Sequence, residues 1–202
     1  MATLRPFRDY DEKDVINLYT LSGAVVDATY QILGTKGSLV KVVGDGFRVD
    51  TEPLEMLGNF GAFTVNNWVG QRYGVIPKVQ ICNTPATDVP VGMLLFDVRE
   101  WDENQLPLKY NPRKAAEMEA VISGQAVPIV TRGTFLYSGV RVSGNVAVTA
   151  GGKAYLGYAG EIATSGTTVV GKFLGTTGSV QATGNQYGTD NSAIALVWLN
   201  IQ

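Results

Sequence analysis

The chain has 202 residues, enough for one sizeable domain or two small ones sharing an interface, and at that size a core needs no disulfide or metal staple. A formal net charge of -2 and a pI of about 5.2 exclude the basic footprint that phosphate neutralisation requires, so direct nucleic-acid binding is not expected. Charged residues are only 17%, against roughly 25% in an average globular domain, and the 24 glycines point to a surface of turns and sheet edges that suits coverage by neighbours.

Residues 1–22 read differently from the rest. Residues 5–14 are polar and charged, with Pro6 fixing one turn, and a short apolar stretch from Val15 to Tyr19 follows. Charges interrupt every apolar stretch here, so a signal peptide is not expected. The segment is either a short helix beginning near Asp11 or an extended arm packing on something else. The arm is preferred, because Ser22 and Gly23 would break a helix early.

Residues 23–202 are expected to form a β-rich body. Leu39 to Val43, then Gly44, Asp45 and Gly46, then Phe47 to Val49 has the pattern of a hairpin with a glycine-containing loop. Residues 79–82 alternate, and 93–98 form a nearly continuous apolar run of strand length, with Pro77, Pro85, Pro90 and Gly92 marking strand ends. One helix is predicted over about 112–123. Asn111 is its N-cap and Pro112 takes the first helical position, where a missing N–H costs nothing. Ala115, Met118, Val121 and Ile122 fall on one face, and Gly124 closes it. Arg113 and Lys114 in the first turn oppose the helix dipole; exposed long side chains tolerate this, with Glu117 or the acidic loop upstream as the available acidic neighbours.

Beyond Gly124 the pattern is strand and turn. Strands are predicted at 126–130, 134–137, 146–149, 153–158, 168–174 and 193–199, separated by Gly, Ser, Thr and Asn. The last is apolar on both faces and is therefore expected to be central and covered. The fold class is mainly β, a barrel or sandwich body with one helical excursion at 111–123. Whether the body is one barrel or two stays open.

Catalytic chemistry finds little support. The chain has no histidine, which removes Ser-His-Asp and Cys-His catalysis and most zinc and haem sites. Cys82 is the sole cysteine, so no intrachain disulfide is expected, cytoplasmic synthesis is the simpler reading, and its alternating strand makes it a core residue. No phosphate-binding glycine loop is present, and Gly171, Gly175, Gly178 and Gly184 sit among strands as turn glycines. No run of eighteen apolar residues occurs, which excludes a transmembrane helix. Asp97, Glu100, Asp102 and Glu103 cluster around Trp101; an acidic loop or inter-subunit contact is the favoured reading, ahead of a cation site or an acid–base pair. Trp68, Tyr73, Tyr155, Tyr158, Tyr187 and Trp198 are read as core or cross-strand aromatics, with a carbohydrate platform as the alternative. No enzymatic activity, cofactor or metal is expected.

The run Val91-Gly-Met-Leu-Leu-Phe-Asp-Val-Arg-Glu-Trp-Asp-Glu-Asn104, then Pro112-Arg-Lys-Ala-Ala-Glu-Met118, then Ser123-Gly-Gln-Ala-Val-Pro-Ile-Val-Thr-Arg-Gly133 resembles virion structural proteins of tailed bacteriophages, particularly those infecting cyanobacteria. Gly152-Lys-Ala-Tyr-Leu-Gly157, Val169-Val-Gly-Lys-Phe-Leu174 and Ala195-Leu-Val-Trp-Leu199 are similar to small β-barrels of phage head decoration proteins. The resemblance covers about the second half of the chain, rests on strand-and-turn patterns, and brings no catalytic residues. It implies a decoration (cement) protein of the virion surface, made in the host cytoplasm. Such a protein bridges subunits of the major capsid protein and associates with itself, with a trimer among the expected forms; no membrane is involved. Partner contacts are expected from Arg5, Phe7, Arg8, Tyr10 and Asp11 of the arm, and from Glu100, Trp101 and Asp102 of the acidic segment. The alternative is a fibre- or tail-associated module binding glycan or receptor.

Overall fold

A computed structural model of the chain describes residues 3–20, 32–43, 78–122, 125–142, 148–176 and 192–201. Among these the fold is mainly β, with one short α-helix. The strands are β1 (Thr3–Asp9), β2 (Val15–Thr20), β3 (Ile32–Gly34), β4 (Leu39–Val43), β5 (Lys78–Ile81), β6 (Gly92–Leu94) and β7 (Asp97–Arg99), followed by the helix α1 (Pro112–Glu117). Then come β8 (Ala120–Val121), β9 (Ala126–Val130), β10 (Arg132–Arg141), β11 (Lys153–Leu156), β12 (Ile162–Ala163), β13 (Val169–Thr176) and β14 (Ser192–Asn200).

Three sheets result. A closed barrel runs β2-β5-β4-β6-β9; a six-stranded sheet runs β1-β10-β12-β11-β13-β14; a small sheet runs β3-β7-β8. The six-stranded sheet also pairs β10 with β14, so β10, β12, β11, β13 and β14 complete a circuit, with β1 lying along β10. The two large sheets share a core. Phe135, Tyr137, Phe173, Val197 and Leu199 from one pack with Leu39, Met93 and Val130 from the other, and Leu4 joins them. A second cluster of Val40, Val79, Leu94, Val98, Val127 and Ile129 is built largely from barrel strands. Residues 194–200 of β14 alternate between half-buried and buried, the period-two pattern of a pleated strand, and Phe135 and Tyr137 of β10 follow it, whereas the buried Val170 and Phe173 of β13 stand three apart.

Residues 3–20 are extended apart from a 3-10 turn at Glu12–Asp14, next to Asp11 where the short helix was expected. They pack on this chain's own body, running antiparallel to residues 126–138 as a ribbon that crosses both large sheets. β1 pairs with β10 (Leu4 opposite Tyr137, Arg8 opposite Phe135), and β2 pairs with β9 from Val15↔Val130 to Tyr19↔Ala126. At the crossing, the Asp14 carbonyl accepts from both the N–H and the hydroxyl of Thr131, the one residue between β9 and β10. The extended segment packs on its own body because Leu4, 2% exposed, has a core to enter. The register slips between Leu4 and Arg8, where Pro6 lies, and a bulge with proline is what a sheet margin tolerates.

Other boundaries moved for local reasons. The helix predicted over 112–123 ends at Glu117, because Glu119 takes φ 49° and Ala120 and Val121 pair with Asp97 and Val98 of β7. Val121 is therefore a strand residue, not part of a helical face; Gly124 lies outside the described residues. The predicted 93–98 strand breaks at Leu95 and Phe96, and its halves serve different sheets. The 153–158 strand stops at Leu156, since residues Tyr158–Gly160 make a 3-10 turn in which Ala159 has φ 54°. The strand predicted at 126–130 forms with those bounds, and 134–137, 168–174 and 193–199 lie within β10, within a β13 starting one residue later, and within β14. β14 is central as expected, bonded to β10 and β13 on its two edges. Val148 and Thr149 are not in a strand, and residues 146–147, the 44–49 half of the predicted hairpin, Trp68, Tyr73, Gly178, Gly184 and Tyr187 lie outside the described residues.

Candidate functional site

Between β7 and β8 the chain leaves the body and returns, and this excursion collects most of the candidate residues. Its entry and exit are tied together: the Asp97 N–H donates to the Glu119 carbonyl at 2.9 Å, beside the parallel β7–β8 pair. Asp102 shapes the loop from inside. It is 3% exposed, and its Oδ1 accepts from the N–H groups of Asn104 and Leu106, both at 2.8 Å. That is the local side-chain-to-backbone bonding by which Asp makes a turn, and Gln105 adopts φ 60° within it. Trp101 bridges to Pro107, the Leu108 N–H donates to the Glu100 carbonyl at 2.9 Å, and Arg99 Nε donates to the Trp101 carbonyl at 2.7 Å. Leu108 is buried beneath the loop with Ala120 and Ile122, while Ala115 and Met118 of the helical turn pack against them.

The outcome is a braced loop with an apolar tip. Tyr110 is 77% exposed, Leu106 58% and Trp101 38%, although the same loop buries Leu108 almost completely. Lys109 Nζ lies 5.0 Å from the centre of the Tyr110 ring, a cation–π distance. Val89 and Tyr158 are comparably exposed elsewhere, but these three large apolar side chains share one loop.

The clustered carboxylates of the sequence are dispersed by the fold. Asp97 Oδ1 accepts from the Lys36 N–H at 2.7 Å, Asp102 holds its own turn, and Glu103 pairs with Lys114 at 2.5 Å. Hydrogen bonding to Lys114 holds the Glu103 carboxyl below its ordinary range and raises the lysine in turn. Arg113 pairs with Glu117 at 3.2 Å, so both cations that oppose the helix dipole have an acidic partner, from the helix and from the loop upstream. No group of three or more acidic, histidine or cysteine side chains among the described residues is arranged to hold a metal ion.

The N-terminal candidates lie elsewhere. Arg8 Nη2 bonds Glu119 at 2.8 Å, Tyr10 stacks on Phe135 with ring centres 5.9 Å apart, and the Asp11 carboxylate caps the 3-10 turn by accepting from the Lys13 N–H. Arg5 and Phe7 lie in β1; their side chains are outside what the structure describes. Arg8 thus touches the exit of the excursion, whereas Tyr10 and Asp11 mark the turn between the two N-terminal strands. Cys82 is buried in the shared core, and burial, reinforced by Asp88 and opposed by Lys41, pushes its thiol up to about 12. Tyr137 is fully enclosed; burial holds its phenol protonated, and its oxygen accepts from the Ile162 N–H at 3.3 Å.

Sequence reasoning named Trp101 and Asp102 but missed Leu106, Tyr110 and the Glu119 junction. The signal for the first two was turn chemistry: Asp102, Glu103, Asn104 and Gln105 in succession, then Leu106 and Pro107, which places apolar residues just past a tight turn. No family model matches the chain, and neither a curated protein nor a solved structure matches it.

Proposed function

We propose that this chain is a structural protein of a phage virion that binds the outer face of the assembled capsid and bridges neighbouring major capsid subunits. One observation carries the reading: the apolar tip of Trp101, Leu106 and Tyr110, held outward on a loop whose own hydrogen bonds fix its shape. Because the loop is already ordered, docking it costs little conformational entropy. The class of partner rests on the resemblance of the runs 91–104, 112–118, 123–133, 152–157, 169–174 and 195–199 to virion proteins. A protein of this kind works by mass action: each contact made only with the expanded lattice stabilises that lattice, and many copies per particle let every contact be weak. The N-terminal strands act as scaffold in this scheme, and the contact falls to the tip.

The test is sedimentation of purified protein with expanded heads that lack it. The wild-type chain pellets with the heads, and Trp101→Ala combined with Tyr110→Ala stays in the supernatant while melting as a folded protein. Pelleting of the double variant at wild-type stoichiometry would remove the tip from the interface. Exposed aromatics also fit the fibre-module alternative; saturable sugar binding lost in the same double variant would favour that reading instead.

A further inference from the structure

Residues 102–118 pack on a small core at their exit. Leu108, Ala115 and Met118 of the excursion meet Ala120 and Ile122, just past Glu119, in a cluster separate from the two body cores. Its internal bonds are local: Asn111 N–H to the Leu108 carbonyl, Ala115 N–H to Asn111, Met118 N–H to Lys114. The backbone links at the neck lie together: the Trp101–Pro107 bridge, the Leu108 N–H to the Glu100 carbonyl, the Asp97 N–H to the Glu119 carbonyl and the two-residue β7–β8 pair. At the exit stands Glu119, a non-glycine residue at φ 49°.

Glu119 makes the long-range link. One carboxylate oxygen, Oε2, accepts from Arg8 Nη2 at 2.8 Å and from Lys36 Nζ at 3.0 Å, residues 111 and 83 positions away in sequence. Arg8 belongs to β1 and Lys36 to the turn between β3 and β4, so one carboxylate ties the exit of the excursion to two separate parts of the body. The arginine depends on it. Arg8 is 15% exposed at the side chain, and its buried Nε finds no hydrogen-bond partner among the described residues. The hydrogen bonds from Arg8 and then Lys36 outweigh burial and hold the Glu119 carboxyl below the usual range, so it is ionised at neutral pH.

We propose that residues 102–118 open and close as a unit independent of the body, and that Glu119, clasped by Arg8 and Lys36, is the latch that keeps them shut. Local cores and local hydrogen bonds let a segment open without global unfolding, provided few contacts cross its neck. Two charge-assisted bonds at that neck then set the closed population. A backbone at positive φ favours escape, so the ion pairs oppose a conformation that would otherwise relax. The inference does not depend on what the tip binds.

Native-state hydrogen exchange tests it on the full chain. In Glu119→Gln, the amides of Leu108, Asn111, Ala115 and Met118 should exchange about tenfold faster or more, as loss of two part-exposed charged bonds implies. The body amides of Cys82, Val91 and Ile201, bonded to Leu39, Val40 and Thr131, should change by less than about threefold. Lys36→Gln, which leaves Arg8 paired, should give the same pattern at smaller amplitude and carries the test if Glu119→Gln fails to fold. Lys41→Gln removes the barrel ion pair with Asp88 and should leave the excursion amides unmoved. Equal acceleration of excursion and body amides in the Glu119 and Lys36 variants, or no acceleration of the excursion, overturns the proposal.

Discussion

Gly171 and Gly175 lie four residues apart on β13, and the structure assigns alanine opposite effects at the two positions. A Cβ on Gly171 would sit 2.1 Å from the Trp198 carbonyl oxygen and 3.1 Å from Leu199 Cα, both backbone atoms of β14. An ordinary carbon–oxygen contact is about 3.3 Å, so β13 and β14 would have to separate by roughly 1.2 Å at the Gly171↔Leu199 pair. Overpacking of that kind costs about 1–3 kcal/mol, and each weakened ladder bond adds about 1 kcal/mol, for a total near 3–5 kcal/mol. That is a large part of the roughly 5–15 kcal/mol holding a typical domain together. At Gly175 a Cβ meets nothing within 4 Å, and alanine there restricts the unfolded chain, so the change should be neutral or stabilising by up to about 1 kcal/mol. Urea unfolding followed by tryptophan fluorescence and far-ultraviolet circular dichroism measures both. Indistinguishable midpoints for Gly171→Ala and Gly175→Ala would refute the β13–β14 register on which the six-stranded sheet depends.

Leu4→Ala should destabilise the protein by about 2–5 kcal/mol in the same assay, since Leu4 is fully enclosed in the shared core, and removal of residues 1–14 should leave no cooperative transition. A folded truncated protein would restore the arm reading. Asp102→Ala takes the acceptor from two backbone N–H groups and should cost about 2 kcal/mol, whereas Glu103→Gln, in an exposed pair, should leave the melting temperature unchanged. Burial pushes the Asp88 carboxyl up, but the Lys41 ammonium at 2.8 Å and the N–H groups of Thr84 and Asn83 outweigh it and hold it below the ordinary range. Its contribution is complete above the unfolded-state value of about 3.9 and is lost as pH falls through the lower folded value, so Asp88→Asn should reduce stability at pH 7 and flatten the acid limb of a stability–pH profile. Cys82, its thiol raised to about 12, should react with a disulfide reagent at pH 8 only at the rate of global unfolding; fast labelling of native protein would contradict its burial.

Alternation made the strands around the core legible. In β9, β10 and β14 one face is enclosed, so the buried set Val127, Ile129, Phe135, Tyr137, Val197 and Leu199 imposes the period directly on the residues. Where a short strand is bounded by tertiary contacts instead, the pattern misleads. Ala115, Met118 and Ile122 do contribute to one cluster, but Glu119 turns the chain after Met118, so Ile122 arrives just beyond a strand and Val121, on that strand, packs against the barrel cluster instead. The N-terminal ribbon was obscured for a related reason. β1 lies beside β10 at a sheet margin, and nothing local reveals that Asp14 will meet Thr131. The acidic segment shows the same limit at the candidate site. Four carboxylates adjacent in sequence look like a cluster, and only the fold shows Asp97 turned to Lys36 and Asp102 enclosed in its own turn.

A single-particle reconstruction of the intact head encoded with this chain tests the capsid-bridging reading most directly. The account predicts density for the β body over junctions between capsid subunits on the outer surface, with Trp101, Leu106 and Tyr110 against the shell. Density confined to the tail, or a body on the head whose 101–110 loop faces solvent, would contradict it.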